Sequence, residues 1–244
     1  MNGSQGSSPG VHRMVCLANS RLGTVRCVAG KFLTPNGFGS WVRPVSWLDQ
    51  GGLSNFARQY QGQVEPNLLD VVEFSIVESK PSGHQSENRL VEDGKKFKKV
   101  GSVKGSELLK VVDKPLNLWT TGHSSGHGTN DFVPKGKISE ATNSLYLLNP
   151  ISLLVEVSEI IKNYKEKVTV RGKFTFLGAE YNLSITDPVL EDKYVAKGLG
   201  EYVIDDVLLT VSLAHTLFVP SKNPQSSGYY KVIAGVIDLA ELGS

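Results

Sequence analysis

The chain has 244 residues, enough for one large domain or two small ones, each with a proper core. A hydrophobic fraction of 40% with 20% charged residues is ordinary globular composition, which excludes wholesale disorder. The formal net charge of +2 is too small to argue for a nucleic-acid partner by itself, so an electrostatic case must come from local clustering.

In chain order, Met1 to Arg13 is rich in Gly, Ser, Asn and Gln without periodicity, and is read as a flexible leader or tag outside the fold. Strands are predicted over Met14 to Asn19, Thr24 to Leu33, Trp41 to Ser46 and Leu69 to Glu78, with a turn at Pro35-Asn36-Gly37. A long polar stretch, Lys80 to Ala141, follows, with one short helix over Glu107 to Asp113. A fifth strand over Ser144 to Asn149 completes a first barrel, 14–149, and Asn149-Pro150 is the predicted boundary. A connection as long as 80–141 inside a compact barrel is unusual and points to function.

Period-2 alternation is cleanest in the second half, 150–241. Leu153, Val155 and Val157 mark its first strand, Val168 to Phe176 its second, and Tyr181 to Ile185 its third. Leu177 to Glu180 forms a hairpin between the last two. Pro188 to Lys197 reads as a short helix, with Pro188 in the first turn and Gly198 and Gly200 as stops. Strands over Val207 to Leu213 and Tyr230 to Leu239 end the series. The order β-β-β-α-β-β predicts an all-β chain with short helices: two OB-fold-like, five-stranded Greek-key barrels in tandem.

Only two cysteines occur, Cys16 and Cys27, which excludes a disulfide framework and a four-thiolate zinc site. No apolar run approaches the roughly 20 residues that cross a bilayer, and no secretory signal is visible, so a cytoplasmic protein without a membrane partner is expected. No Gly-x-x-x-x-Gly-Lys, Gly-x-Ser-x-Gly or His-Glu-x-x-His motif is present, and no cofactor or catalytic residue is assigned.

Three features could carry chemistry. Lys95, Lys96, Lys98 and Lys99 open a run to Lys114 in which seven lysines face two acids, Glu107 and Asp113; such a patch meets phosphates and releases counterions. Arg26, Lys31, Phe32, Phe38, Trp41, Arg43, Trp47, Phe56 and Arg58 interleave cations with rings on which bases stack. His123, His127 and Asp131 lie in a Ser- and Gly-rich loop, with His84 upstream, and could ligate a metal or hold the loop by hydrogen bonds.

The chain resembles the bacterial proteins described as dual OB domain-containing. The matching phrases are Cys16-Leu17-Ala18-Asn19-Ser20-Arg21, Arg26 to Lys31, Trp41-Val42-Arg43-Pro44-Val45-Ser46, Leu69 to Glu73, His84 to Asn88, Gly122-His123-Ser124-Ser125 with Asn130-Asp131, and Thr186-Asp187-Pro188. The resemblance covers Met14 to Leu239. It implies two OB domains, a nucleic-acid role in a bacterial conflict or defence setting, and a shared site around Asn19, Arg21, Arg43, His84, Asn88, His123 and Asp131. Three functions stay open at this point: a binder of DNA or RNA through the first barrel, a scaffold subunit with a protein partner, and a metal-assisted hydrolase using His84, His123, His127 and Asp131.

Overall fold

β1 (Gly10–Leu22) and β2 (Val25–Thr34) form the hairpin from which the first half is built. The two backbones approach closely at Gly30, where an added Cβ would sit 1.8 Å from the Val15 carbonyl oxygen, so only glycine fits. A bulge between Cys16 and Ala18 bends β1, which lets its first half pair with β4 (Asp70–Ser79) as well. β3 (Gly37–Val45) continues from β2 across Pro35-Asn36. The short helix α1 (Asn55–Arg58), capped by the Ser54 hydroxyl, lies between β3 and β4 in sequence. β5 (Asn88–Val91) pairs parallel with β3 and antiparallel with β4. The order β1-β2-β3-β5-β4, with β4 back on β1, is a closed five-stranded barrel. Met14, Cys16, Val28, Phe32, Val42, Val72, Phe74, Ile76 and Val91 fill it. β6 (Lys98–Ser102) adds to the outside of β4, with all five residues exposed.

In the second half, β9 (Ser152–Lys162), β10 (Lys165–Phe176) and β11 (Ala179–Ile185) form an antiparallel meander. Helix α2 (Pro188–Val195) follows, with the Asp187 carboxylate accepting from the N–H groups of Val189 and Leu190. β12 (Gly200–Asp205) pairs with β9, and β13 (Val207–Leu213) pairs with β14 (Gly228–Asp238). Only Asp206, in the left-handed region at φ 50°, separates β12 from β13. The path β12-β9-β10-β11-β14-β13 therefore returns to its start through one residue, and β11 meets β14 in parallel as β3 meets β5. Both halves thus have the predicted OB-type order.

The structure, a computed structural model, describes residues 9–23, 25–47, 52–60, 62, 64–92, 94–162, 165–221 and 224–241. It divides into two compact units, 1–111 with 142–144, and 112–141 with 145–244. Among the described residues no helix is long and apolar enough to cross a membrane.

Several predicted boundaries move. Gly10 to Arg13, read as leader, pair with Glu73 to Ile76 in β1, while residues 1–8 and Thr24 lie outside the described residues. The fifth strand of the first barrel is β5, inside the stretch read as a polar insertion. The strand predicted there over 144–149 is β8 (Leu145–Leu148), which pairs with β13 of the second unit. The predicted helix over 107–113 is a 3₁₀ segment, Gly105–Val111. Residues 112–141 pack with the second unit, not the first, because β7 (Phe132–Pro134) pairs with β14. The hairpin after β10 is two residues long, Leu177-Gly178, rather than four.

Candidate nucleic-acid interface

Six of the candidate contact residues of the first unit are buried: Lys31, Phe32, Arg43, Arg58, His84 and Asn88. Arg43 on β3 is 4% exposed: its Nη1 lies 3.0 Å from Glu87 Oε1 and its Nη2 donates to Ser144 Oγ at 2.9 Å. Ser144 Oγ donates in turn to Glu87 Oε1. Lys31, the cross-strand partner of Trp41, is buried with its ammonium 5.3 Å from the half-buried indole. His84 and Asn88 are buried around the β4–β5 turn, which backbone bonds between Ser82 and Gln85 close; the Asn88 amide donates to Gln85. Alternation explains the grouping, since Ala29 and Lys31 on β2, and Arg43 and Val45 on β3, share one face, and all four are buried. The strand 2–3 face, where the Arg and aromatic pattern was expected to work, carries an internal ion pair instead.

A second polar group gathers around Glu65. Arg58 Nη2 donates to its Oε1 at 2.8 Å, Asn19 Nδ2 to its Oε2 at 3.3 Å, and Arg26 Nε lies 3.6 Å from Oε2. The Arg58 hydrogen bond, ahead of its charge and those of its neighbours, holds the Glu65 carboxyl below its usual range. Asn19 and Arg26 therefore tie Glu65 and Pro66 to the barrel. Arg21, opposite Arg26 in the hairpin, is exposed.

The lysine run is what remains on the surface. Phe97 is buried against Phe74, and its N–H donates to the Ala57 carbonyl, which fixes 95–99 beside α1. The residues flanking Phe97 face outward. Lys96 places its ammonium 4.9 Å from the ring centroid of Phe56, which is 52% exposed. Lys98 is exposed and has no ion-pair partner among the described residues. Lys95 pairs with Glu92 at 2.7 Å, and Lys99 with the buried Asp70 at 2.5 Å. A second exposed ring, Trp47 at 66%, has the Lys80 ammonium 3.0 Å from its ring centroid.

The histidine loop belongs to the second unit, so His84 and His123 lie in different units. Asp131 is 2% exposed; its carboxylate accepts from Ser125 N at 2.7 Å and Ser125 Oγ at 2.6 Å, and lies 3.4 Å from Arg171 Nη2. Arg171 on β10 further donates to Asn182 and Ser184 of β11. Burial, ahead of the Asp131 charge that opposes it, lowers the Arg171 pKa. Thr129 exchanges backbone hydrogen bonds with Asn182, while β7 pairs with β14. Since β11 and β14 meet only at Ser184 and Ile185, residues 129–134 close the barrel wall where these strands part. The 123–131 loop is thus held as structure, and the histidine rings take no part in the network. His127 is exposed and His123 half-buried. Among the described residues no group of three or more His, Cys, Asp or Glu is placed to hold a metal ion. An added Cβ at Gly128 would lie 2.0 Å from Asp131 Oδ2 and 2.4 Å from Arg171 Nη2, whereas one at Gly126 meets nothing within 4 Å. Gly128→Ala is expected to cost the second unit about 1–3 kcal/mol, and Gly126→Ala less than about 0.5, by chemical denaturation.

Beneath this network sits Lys231 on β14, missed in the sequence although it falls two residues before the core Ile233 and so shares its face. It is 1% exposed, its Nζ donates to the Thr120 carbonyl at 2.6 Å, and its N–H donates to the Asp131 carbonyl. Burial pushes its pKa down to about 7, against the opposing pull of Asp131.

The family model described as dual OB-containing domain matches residues 12–236 of the chain. No curated protein matches it.

Proposed function

Because the chain belongs to the dual OB-containing domain family, we propose that it binds nucleic acid, and does so through the α1–β6 side of the first unit. The observation that carries this reading is the exposed Phe56 ring with Lys96 over it, beside Lys95, Lys98 and Lys99. A ring exposed to water offers a stacking face, and an ammonium beside it meets a phosphate; each stacked base contributes roughly 1–3 kcal/mol in comparable sites. Trp47 with Lys80 repeats the arrangement. Lys96 and Lys98 are the most available cations, because Lys95 and Lys99 already face carboxylates. The buried Arg43, Lys31, His84 and Asn88 support the barrel under this reading rather than touch the ligand. The setting proposed for such binding is a bacterial conflict or defence system, as the resemblance to dual OB domain-containing proteins implies.

The test is fluorescence anisotropy with labelled single-stranded DNA, single-stranded RNA and duplex DNA over a salt series. Phe56→Ala is expected to weaken single-strand binding by about 5- to 150-fold. Lys98→Ala is expected to lower the magnitude of the log–log salt slope by about 0.7. Affinity unchanged in the Phe56→Ala, Lys96→Ala, Lys98→Ala triple variant would overturn the assignment.

A further inference from the structure

The second unit contains a cleft of about 790 Å³ that the first-unit site does not involve. It opens at the end of the β9–β10–β11 meander, between the chain entering β9 and the β10–β11 hairpin. Phe174, Phe176 and Tyr181 line it, with Thr129, Lys173 and Asn182 among its polar groups. The rings of Phe174 and Tyr181 are stacked, with centroids 5.3 Å apart and planes 14° apart, and both residues are buried. The floor is therefore aromatic and rigid.

Two features of the rim are costly to the fold and unexplained by it. Ile151 is 94% exposed and Leu177 is 68% exposed, and both line the cleft. Leu177 is also strained. The hairpin has a two-residue loop in which Leu177 and Gly178 both have positive φ, 49° and 78°. Such a type I′ turn favours Asn-Gly, since Asn tolerates the left-handed region and Leu does not. A side chain that is both strained and exposed at a cleft rim is the kind of outlier that marks a ligand clamp. Lys173 also lines the cleft, but alternation turns its side chain to the face of β10 opposite Phe174, where it pairs with Glu156 at 2.8 Å and Glu201 at 3.1 Å.

We infer that this cleft takes a flat heteroaromatic ring, a nucleobase, held between the aliphatic side chains of Leu177 and Ile151 over the Phe174–Tyr181 floor. The apolar walls and aromatic floor suit a π-face, and Thr129, which also lines the cleft, suits the polar edge of a base. The base can belong to a free mononucleotide or to a strand; the recognising chemistry is the same. The site is independent of the first-unit interface, because every residue lining it lies in the second unit.

The full chain is titrated by calorimetry and by NMR with AMP, GMP, CMP and UMP, and separately with a 12-residue oligo(dA). Saturable binding of at least one mononucleotide, with shifts at Leu177, Thr129 and Tyr181, is the expected result for a free ligand. Binding of the oligonucleotide alone, with the same residues shifted, assigns the base to a strand. Leu177→Asn is the decisive variant. It puts the favoured residue into the turn, so its melting temperature is expected to hold or rise, while the lost aliphatic wall weakens binding at least tenfold. Ile151→Ser, at a fully exposed position, is expected to weaken it likewise. No saturation by any probe at 5 mM (on the order of the weakest useful affinity), or unchanged affinity in both variants, overturns the inference. Phe56→Ala, which disables the first-unit interface, is expected to leave the cleft's affinity for mononucleotides unaltered, so the two sites fail separately.

Discussion

Glu87→Ala is expected to cost the first unit about 3–5 kcal/mol, the range for breaking a buried ion pair by removing one partner. The Arg43 and Glu87 side chains are 5% and 4% exposed, and their charges meet at 3.0 Å. Removing the carboxylate leaves the guanidinium charged in the interior, because arginine does not give up its proton. It also takes away the acceptor of the Ser144 hydroxyl, so the tie that holds 142–144 to this unit loosens. Arg43→Ala strands the carboxylate instead and is expected to cost a similar amount. Replacing both partners with apolar side chains, Arg43→Met with Glu87→Leu, is expected to recover most of the loss, since no charge then remains to be desolvated. Urea unfolding followed by circular dichroism measures all four proteins. The same samples separate a structural role from a ligand contact: oligonucleotide affinity per folded molecule is expected to match the parent. A Glu87→Ala protein within about 1 kcal/mol of the parent would show the pair to be dispensable.

The difference between the ion pair and the lysine run shows what a sequence carries and what it does not. Lysines 95, 96, 98 and 99 crowd around one apolar residue, Phe97, and a pattern of that kind can bury only the phenylalanine; exposure follows from composition. Arg43 has the same charge, yet its fate depends on Glu87, far away in the chain and aligned with it only when β5 lies parallel to β3. Nothing local announces β5. It has four residues, sits in a polar stretch, and its place in the barrel depends on pairing in parallel with β3, distant in sequence, so the fifth strand was expected at 144–149, where the apolar run is plainer. That run is a strand, but alternation cannot say which sheet receives it, and β13 does. In the second half, by contrast, β9, β10 and β11 follow from period-2 patterning because each has one buried face, α2 from its caps, and β13 and β14 from apolar runs that are buried on both faces over much of their length. β12 escaped because Gly198 and Gly200 had already been used to stop the helix, and most of its residues are exposed. The histidine loop was conspicuous for its residue types, but its anchor is Asp131, and the partner Arg171 lay in the polar half of a strand pattern that alternation could describe without assigning a use.

Lys231 gives the second large effect, and its sign follows from proton linkage. The ordinary lysine pKa of about 10.4 applies in the unfolded chain, and burial brings it to about 7 in the folded one. Below about pH 7 both states carry the proton, so the folded state bears the full cost of a buried ammonium. Between about 7 and 10 the unfolded chain holds a proton that the folded chain has released. Stability of the second unit therefore rises with pH across this window, by about 1.4 kcal/mol per pH unit at most, and by roughly 2–3 kcal/mol from pH 7 to 9. The groups around the amine are few: the Thr120 carbonyl that accepts its proton, the Asp131 carboxylate, and the Tyr181 ring 5.4 Å away. Tyr181 and Tyr230, both pushed up by burial, titrate above the window and leave its slope alone. Lys231→Met keeps the volume and removes the titration, so its unfolding free energy is expected to stay flat from pH 7 to 9. It exceeds the parent below pH 7 if the lost charge outweighs the Thr120 carbonyl left without its donor, a cost of about 1–3 kcal/mol. Denaturation at half-unit pH steps reads both slopes. Parallel curves for the two proteins would mean that Lys231 keeps its proton in the core, with Asp131 and Thr120 together holding it there.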